Sequence, residues 1–150
     1  AAAVVVMAAA KAQELGIKPM ARIVGQSVSG LAPKWLLMTP VQAVQKLMTK
    51  VGWSMDNVEL FELNEAFAAQ ALANVEAWEQ GWKGEPTGPV DWSRVNVNGS
   101  SIAIGHPWSA TGARIITTLA YEMQRRNARY GLVSICAAGA MAGAFLLERE

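Results

Sequence analysis

Cysteine and histidine are almost missing from this chain: its 150 residues include one of each, Cys136 and His106. A single cysteine excludes an internal disulfide and fits a reducing compartment, the cytoplasm or an organelle matrix. Charge is also sparse, at 17% of residues with a formal net charge of +1. The basic residues are scattered apart from the pair Arg125-Arg126, so there is no electrostatic footprint for nucleic acid or for a membrane surface. No apolar run reaches the roughly 18 residues needed to cross a bilayer. The opening Ala1-Ala2-Ala3-Val4-Val5-Val6-Met7 has neither the basic leader nor the polar cleavage region of a secretory signal.

Apolar residues are abundant: at 52% hydrophobic content the chain can bury one substantial core, and its length favours one domain. The valine run at the start reads as a buried strand feeding a short helix that ends at Gly16, and a chain opening inside a strand is expected to continue a longer one. Met20 to Gly30 alternates as a strand. Thr39-Pro40 supplies an N-cap and a first-turn proline for a helix over Val41 to Val51, closed by Gly52. Val58 to Leu63 is a period-two strand, and Asn64 follows as the cap of a helix from Glu65 to about Glu79, with Glu65 as its first-turn acid.

Gly81 to Ser93 holds two prolines and three glycines and reads as loop. Val95-Asn96-Val97 suggests a short strand, and Ala110 to Arg126 is the longest amphipathic helix, with Ile115, Leu119 and Met123 inward. Gly131–Ile135 and Ala142–Leu147 read as paired strands around a turn of small residues. The order β-α-β-α-β-α-β-α-β-β implies an α/β layered sheet.

Three segments carry chemistry. The first is Asn64-Glu65-Ala66-Phe67-Ala68-Ala69-Gln70, where Asn64 sits at a strand-to-helix corner, the place where open α/β sheets face their ligands. The second runs from Asn98-Gly99-Ser100-Ser101 through Gly105-His106-Pro107 to Gly112-Ala113-Arg114. Between glycine and proline, His106 is placed by backbone, and imidazole is the side chain best suited to proton transfer near neutrality. A Gly-His-Pro turn can also be purely structural. The third is Ser134-Ile135-Cys136-Ala137-Ala138-Gly139-Ala140-Met141, in which Cys136 reads either as a small buried hydrophobe or as a thiol at a loop. Ser101 and Ser109 are weaker nucleophile candidates, because His106 is the one base available to either.

Together and in this order the three segments resemble the C-terminal part of a thiolase, an acyltransferase that cleaves or forms 3-oxoacyl-CoA by Claisen chemistry. The resemblance implies a thiolase-like layered α/β fold, C-terminal half, as a mixed sheet with helices on both faces. Residues 1–19 would be a remnant of the preceding half and 20–150 the C-terminal domain. It implies that His106 activates a nucleophilic thiol and lines an oxyanion hole, that Asn64 fixes a water completing that hole, and that Cys136 moves the proton of the carbon acid or leaving thiol. The backbone at Ala138 and Gly139 would serve the acyl-intermediate oxyanion hole. Leu36, Trp108 and Met141 would line the substrate pocket.

No metal or tightly bound cofactor is implied, since CoA thioesters are substrates. The implied partners are acyl-CoA or CoA, and either the N-terminal thiolase half or a second copy in a homo-oligomer, paired through the Ala110–Arg126 helix. The sequence also departs from the family. The primary nucleophilic cysteine has no counterpart here, so the chain by itself is expected to be inactive, and an inactive self-associating half-thiolase is the alternative reading. Ala138, Trp108 and Ser109 stand where the family has glycine, a small aliphatic residue and glycine, and the Ala32 to Pro40 loop is unusually bulky. These changes add volume around the site and leave open whether CoA is bound in the family manner.

Overall fold

The computed structural model describes all 150 residues. Its elements, in order, are α1 (Ala9–Glu14), β1 (Ala21–Gly30), a 3-10 segment (Pro33–Met38), α2 (Thr39–Val51), β2 (Leu60–Leu63), α3 (Ala68–Gln80), α4 (Ser101–Ile104), α5 (Thr111–Arg126), β3 (Tyr130–Ala137) and β4 (Met141–Arg149). The four strands form one sheet in the order β1-β4-β3-β2. β2 and β3 run parallel, while β4 is antiparallel to both β1 and β3. Helices cover both faces, as expected for a layered α/β domain.

Spacing decides which face each helix buries. Val41, Val44, Leu47 and Met48 of α2 are at most 1% exposed and pack with Phe61, Leu132 and Leu146 of the sheet. The approach is close because β1 presents small residues there. A Cβ on Gly25 would come within 3.0 Å of Leu47 Cδ1, the Ser29 hydroxyl donates to the Thr39 carbonyl at 2.7 Å, and Ser27 donates to the Ala43 carbonyl. Gly52 ends α2 in the left-handed conformation (φ +72°), where a side chain would be strained. On the other face, Ile115, Leu119 and Met123 of α5 are buried against Leu60, Val133 and Leu147.

Several elements depart from expectation. Ala1 to Met7 forms no strand: no strand of the sheet pairs with it, and Val5 and Val6 are exposed. A valine run has strand propensity, but a strand needs a neighbour for its backbone groups. α3 begins at Ala68 rather than Glu65, and Gln70 reaches back to accept from Ala66 and Phe67 N–H. Thr39 is the first residue of α2 and does not cap it; its hydroxyl turns to the carbonyls of Leu36 (2.6 Å) and Met141 (3.0 Å).

Val95 to Val97 shrinks to one bridge, Phe61 to Val95. Beyond that bridge the side chain of Asn96 replaces a strand, accepting from Leu63 N–H at 2.8 Å and donating to the Leu63 carbonyl at 2.9 Å. No helix is long and apolar enough to cross a membrane.

α5 leaves Tyr121 58% exposed but carries less uncovered apolar surface than expected of it. Its apolar stripe is spent on the sheet, and Ile116 on its flank is partly buried. The uncovered surface lies on the sheet, where α5 covers β2 and β3 but not β1. Ile23, Val28 and Met141 stand there 46%, 76% and 52% exposed.

Candidate functional site

The site gathers where β2 and β3, parallel neighbours, both end. Asn64 follows the last residue of β2 and is fully buried, with its backbone N–H bonded to the Ser134 carbonyl at 2.8 Å. Its side chain does not cap α3. The amide nitrogen faces Cys136 Sγ at 3.7 Å, and the amide oxygen accepts from Ser101 Oγ at 2.6 Å. All three motif segments thus meet at Asn64. Cys136, near the end of β3, is half-buried. Burial pushes its thiol pKa up, and the Asn64 contact pulls the other way.

His106 follows α4 on a glycine with φ +104°. Its Nδ1 lies 2.6 Å from Thr111 Oγ1, and that hydroxyl in turn is 3.2 Å from the Pro107 carbonyl. A hydroxyl has one hydrogen. If it goes to the Pro107 carbonyl, the hydroxyl accepts from Nδ1–H, which leaves Nε2 unprotonated as the proton acceptor of a neutral imidazole. His106 makes no hydrogen bond to Asn64 or Cys136; the Ser101 to Thr111 segment connects them.

Glu65 is not the first-turn acid of α3. Its carboxylate accepts from Asn96 Nδ2 at 2.8 Å and from Ile102 N–H at 3.1 Å, which fixes the start of the histidine segment against β2. Ala138 and Gly139 lie in the exposed turn between β3 and β4. Gly139 (φ +82°) and Ala140 (φ +55°) take the left-handed conformations, so the backbone strain of this turn falls on Ala140 rather than on Ala138. Leu36 and Met141 are brought together, because Thr39 binds both their carbonyls, and they adjoin this turn through Leu31 N–H to the Ala140 carbonyl. Trp108 is 85% exposed, and nothing in the structure packs it with them.

Ser109, next to it, has φ +70°, so the backbone keeps a conformation suited to glycine although serine occupies it. Ser109→Gly is therefore expected to stabilise the chain by about 0.5–1 kcal/mol, read as a higher urea midpoint at unchanged slope. Serine there is exposed and loses no packing.

Sequence reasoning missed one residue beneath the site. Glu62 looks like the solvent-facing position of an alternating strand, but α5 covers that face and leaves it 2% exposed. Burial pushes its carboxyl pKa up to about 8, against the opposing charge of Arg114. Between the ordinary value of 4.5 and about 8, the folded chain holds a proton that the unfolded chain has released. This group's stabilising contribution is therefore complete below pH 4.5 and is lost as pH rises through 8. Glu62→Gln is expected to remove that loss, a difference on the order of a few kcal/mol between urea titrations at low and high pH. Equal pH dependence in both proteins would contradict it. The signal available in the sequence was a glutamate within a strand flanked on both sides by helices.

No three His, Cys, Asp or Glu side chains cluster as metal ligands would. A concavity of about 610 Å³ between α2 and the Lys83 to Thr87 loop is lined by Gln45, Lys46 and Trp53 and holds none of the site residues.

Comparison with known proteins bears on the fold and the family. The model of the family described as "Thiolase, C-terminal domain" matches residues 17–149. Acetyl-CoA acetyltransferase of Cupriavidus necator is 48% identical over 150 residues, covering 100% of this chain and 36% of that protein. The Chromobacterium violaceum protein of the same name is 45% identical over 149 residues, covering 99% of this chain and 36% of its own length. The crystal structure of the Bacillus anthracis acetyl-CoA acetyltransferase matches with a TM-score of 0.86 at 41% identity, over 96% of this chain and 34% of that one. The chain spans about a third of the length of these relatives.

Proposed function

Because this chain belongs to the thiolase family, as its C-terminal domain, we propose that it supplies the proton-transfer and oxyanion side of an acyl-CoA C-acyltransferase. The observation that carries this reading is the junction of Asn64, Ser101 and Cys136 at the paired strand ends, with His106 held through Nδ1 by Thr111 on the segment that Ser101 belongs to. Claisen chemistry requires a base beside an α-carbon and donors aimed at the enolate oxygen that develops. Cys136 is the base and carries the α-proton. His106 Nε2 takes the proton of the acyl-accepting thiol and then, protonated, donates to the enolate oxygen, together with a water held by Asn64. The backbone at Ala138 and Gly139 faces the acyl oxygen. The acyl-accepting thiol comes from outside these 150 residues, because Cys136, the one cysteine, already has a role.

The substrates in this proposal are CoA thioesters, with no metal or bound cofactor, and the compartment is the cytoplasm. The exposed apolar strip of Ile23, Val28 and Met141 supports a partner on that sheet face, either the rest of a thiolase or a second copy of the chain.

A chimera tests the reading: this chain in place of the matching 36% of the Cupriavidus necator protein. Thiolysis of acetoacetyl-CoA by the chimera, with none by the 150-residue chain alone, is the expected result. Turnover by the chain alone, or a folded chimera without turnover beside an active parent, would contradict it.

A further inference from the structure

Arg114 stands in the first turn of α5, where a cation opposes the helix dipole. Such a placement calls for a compensating task, and the hydrogen bonds show one. Arg114 Nη2 donates to Ser101 Oγ at 3.3 Å, Ser101 Oγ donates to Asn64 Oδ1 at 2.6 Å, and Asn64 Nδ2 faces Cys136 Sγ at 3.7 Å. A guanidinium has donors and no acceptor, so the direction of the chain is fixed from its far end. Ser101 accepts from Arg114 and gives its own hydrogen to the Asn64 oxygen, which leaves the Asn64 nitrogen turned to the sulfur.

The opposite orientation of the amide has the opposite chemical effect. An Asn64 oxygen facing Cys136 would accept from the thiol and favour its protonated form, whereas a nitrogen donor favours the thiolate. We propose that Ser101 and Arg114 are positioning residues that hold the Asn64 amide with its donor toward Cys136. Asn64 and Ser101 are 0% and 7% exposed, so water competes little for either bond. Glu62 lies within Coulombic range of Arg114, whose charge opposes the rise in the Glu62 carboxyl pKa. The same geometry removes Ser101 from the nucleophile candidates, since its hydrogen is already committed to Asn64. Its catalytic importance rests on the acyltransferase reading, but its effect on the sulfur can be read without turnover.

The test uses the full chain and iodoacetamide, following alkylation of Cys136 across pH. Losing the orientation of one donor costs roughly a three- to tenfold factor, the ordinary net worth of one hydrogen bond. Ser101→Ala is expected to slow alkylation at pH 8 by that much and to move the midpoint of the pH profile upward, in the same direction as Asn64→Ala. Ser101→Thr, which keeps the hydroxyl, is expected to restore the wild-type profile. A change in access alone would alter the rate but leave the midpoint in place. A Ser101→Ala midpoint equal to wild type, or a Thr variant shifted as far as Ala, would overturn the proposal. An inactive chimera alongside shifted midpoints would overturn the acyltransferase reading and leave this one standing.

Discussion

Replacing His106 by alanine in the chimeric enzyme is expected to lower kcat for acetoacetyl-CoA thiolysis about a thousandfold, with KM changed little. General-base catalysis by a positioned side chain is worth roughly 10² to 10⁴, and loss of one oxyanion donor roughly 10² to 10³. In the proposed mechanism His106 serves both steps in turn. The interactions it loses exist only as bonds form and break, which is why the effect belongs in kcat. Thr111→Val should show a smaller loss of the same kind, because it frees Nδ1 without removing the ring. Retention of more than about a tenth of the rate in His106→Ala would mean that the Gly-His-Pro turn is structural.

The second large effect concerns the contact that holds α5, and so the histidine segment, against the sheet. Gly131 lies at the start of β3, where an added Cβ would meet Met123 Sδ at 2.8 Å and Leu119 Cδ1 at 2.9 Å. Strand propensity favours valine over glycine at such a position. Here volume decides, because Leu119 and Met123 are at most 1% exposed and have nowhere to move. Gly131→Val is expected to destabilise the chain by about 2–3 kcal/mol and lower Tm by roughly 5–10 °C. A variant as stable as wild type would show that α5 packs less closely than the structure places it.

Periodic elements were readable in the sequence where burial on one face is itself periodic. The stripe of Ile115, Leu119 and Met123 and that of Val41, Val44 and Leu47 identify α5 and α2 because each faces a sheet across its whole length. His106, Asn64 and Cys136 were readable from motif order. The side-chain partners of Asn64 and Cys136 were not, because those lie 37 to 72 residues apart in sequence. Asn64 looked like a helix cap because local sequence cannot show that Ser101 would occupy its oxygen. Val4 to Val6 looked like a strand because propensity says nothing about whether a neighbour is present. Arg114 did carry a local signal, a cation at the wrong end of a helix, and Glu62 carried another in the middle of β2.

The role proposed for Cys136 is that of base in the carbon-acid step, and hydrogen exchange at the α-carbon isolates that step from acyl transfer. Incubated with acetyl-CoA in D₂O, the chimera is expected to wash deuterium into the methyl group. Cys136→Ala should exchange at least about a hundredfold more slowly, with its fold confirmed by circular dichroism. A Cys136→Ala chimera exchanging at the wild-type rate would contradict the account.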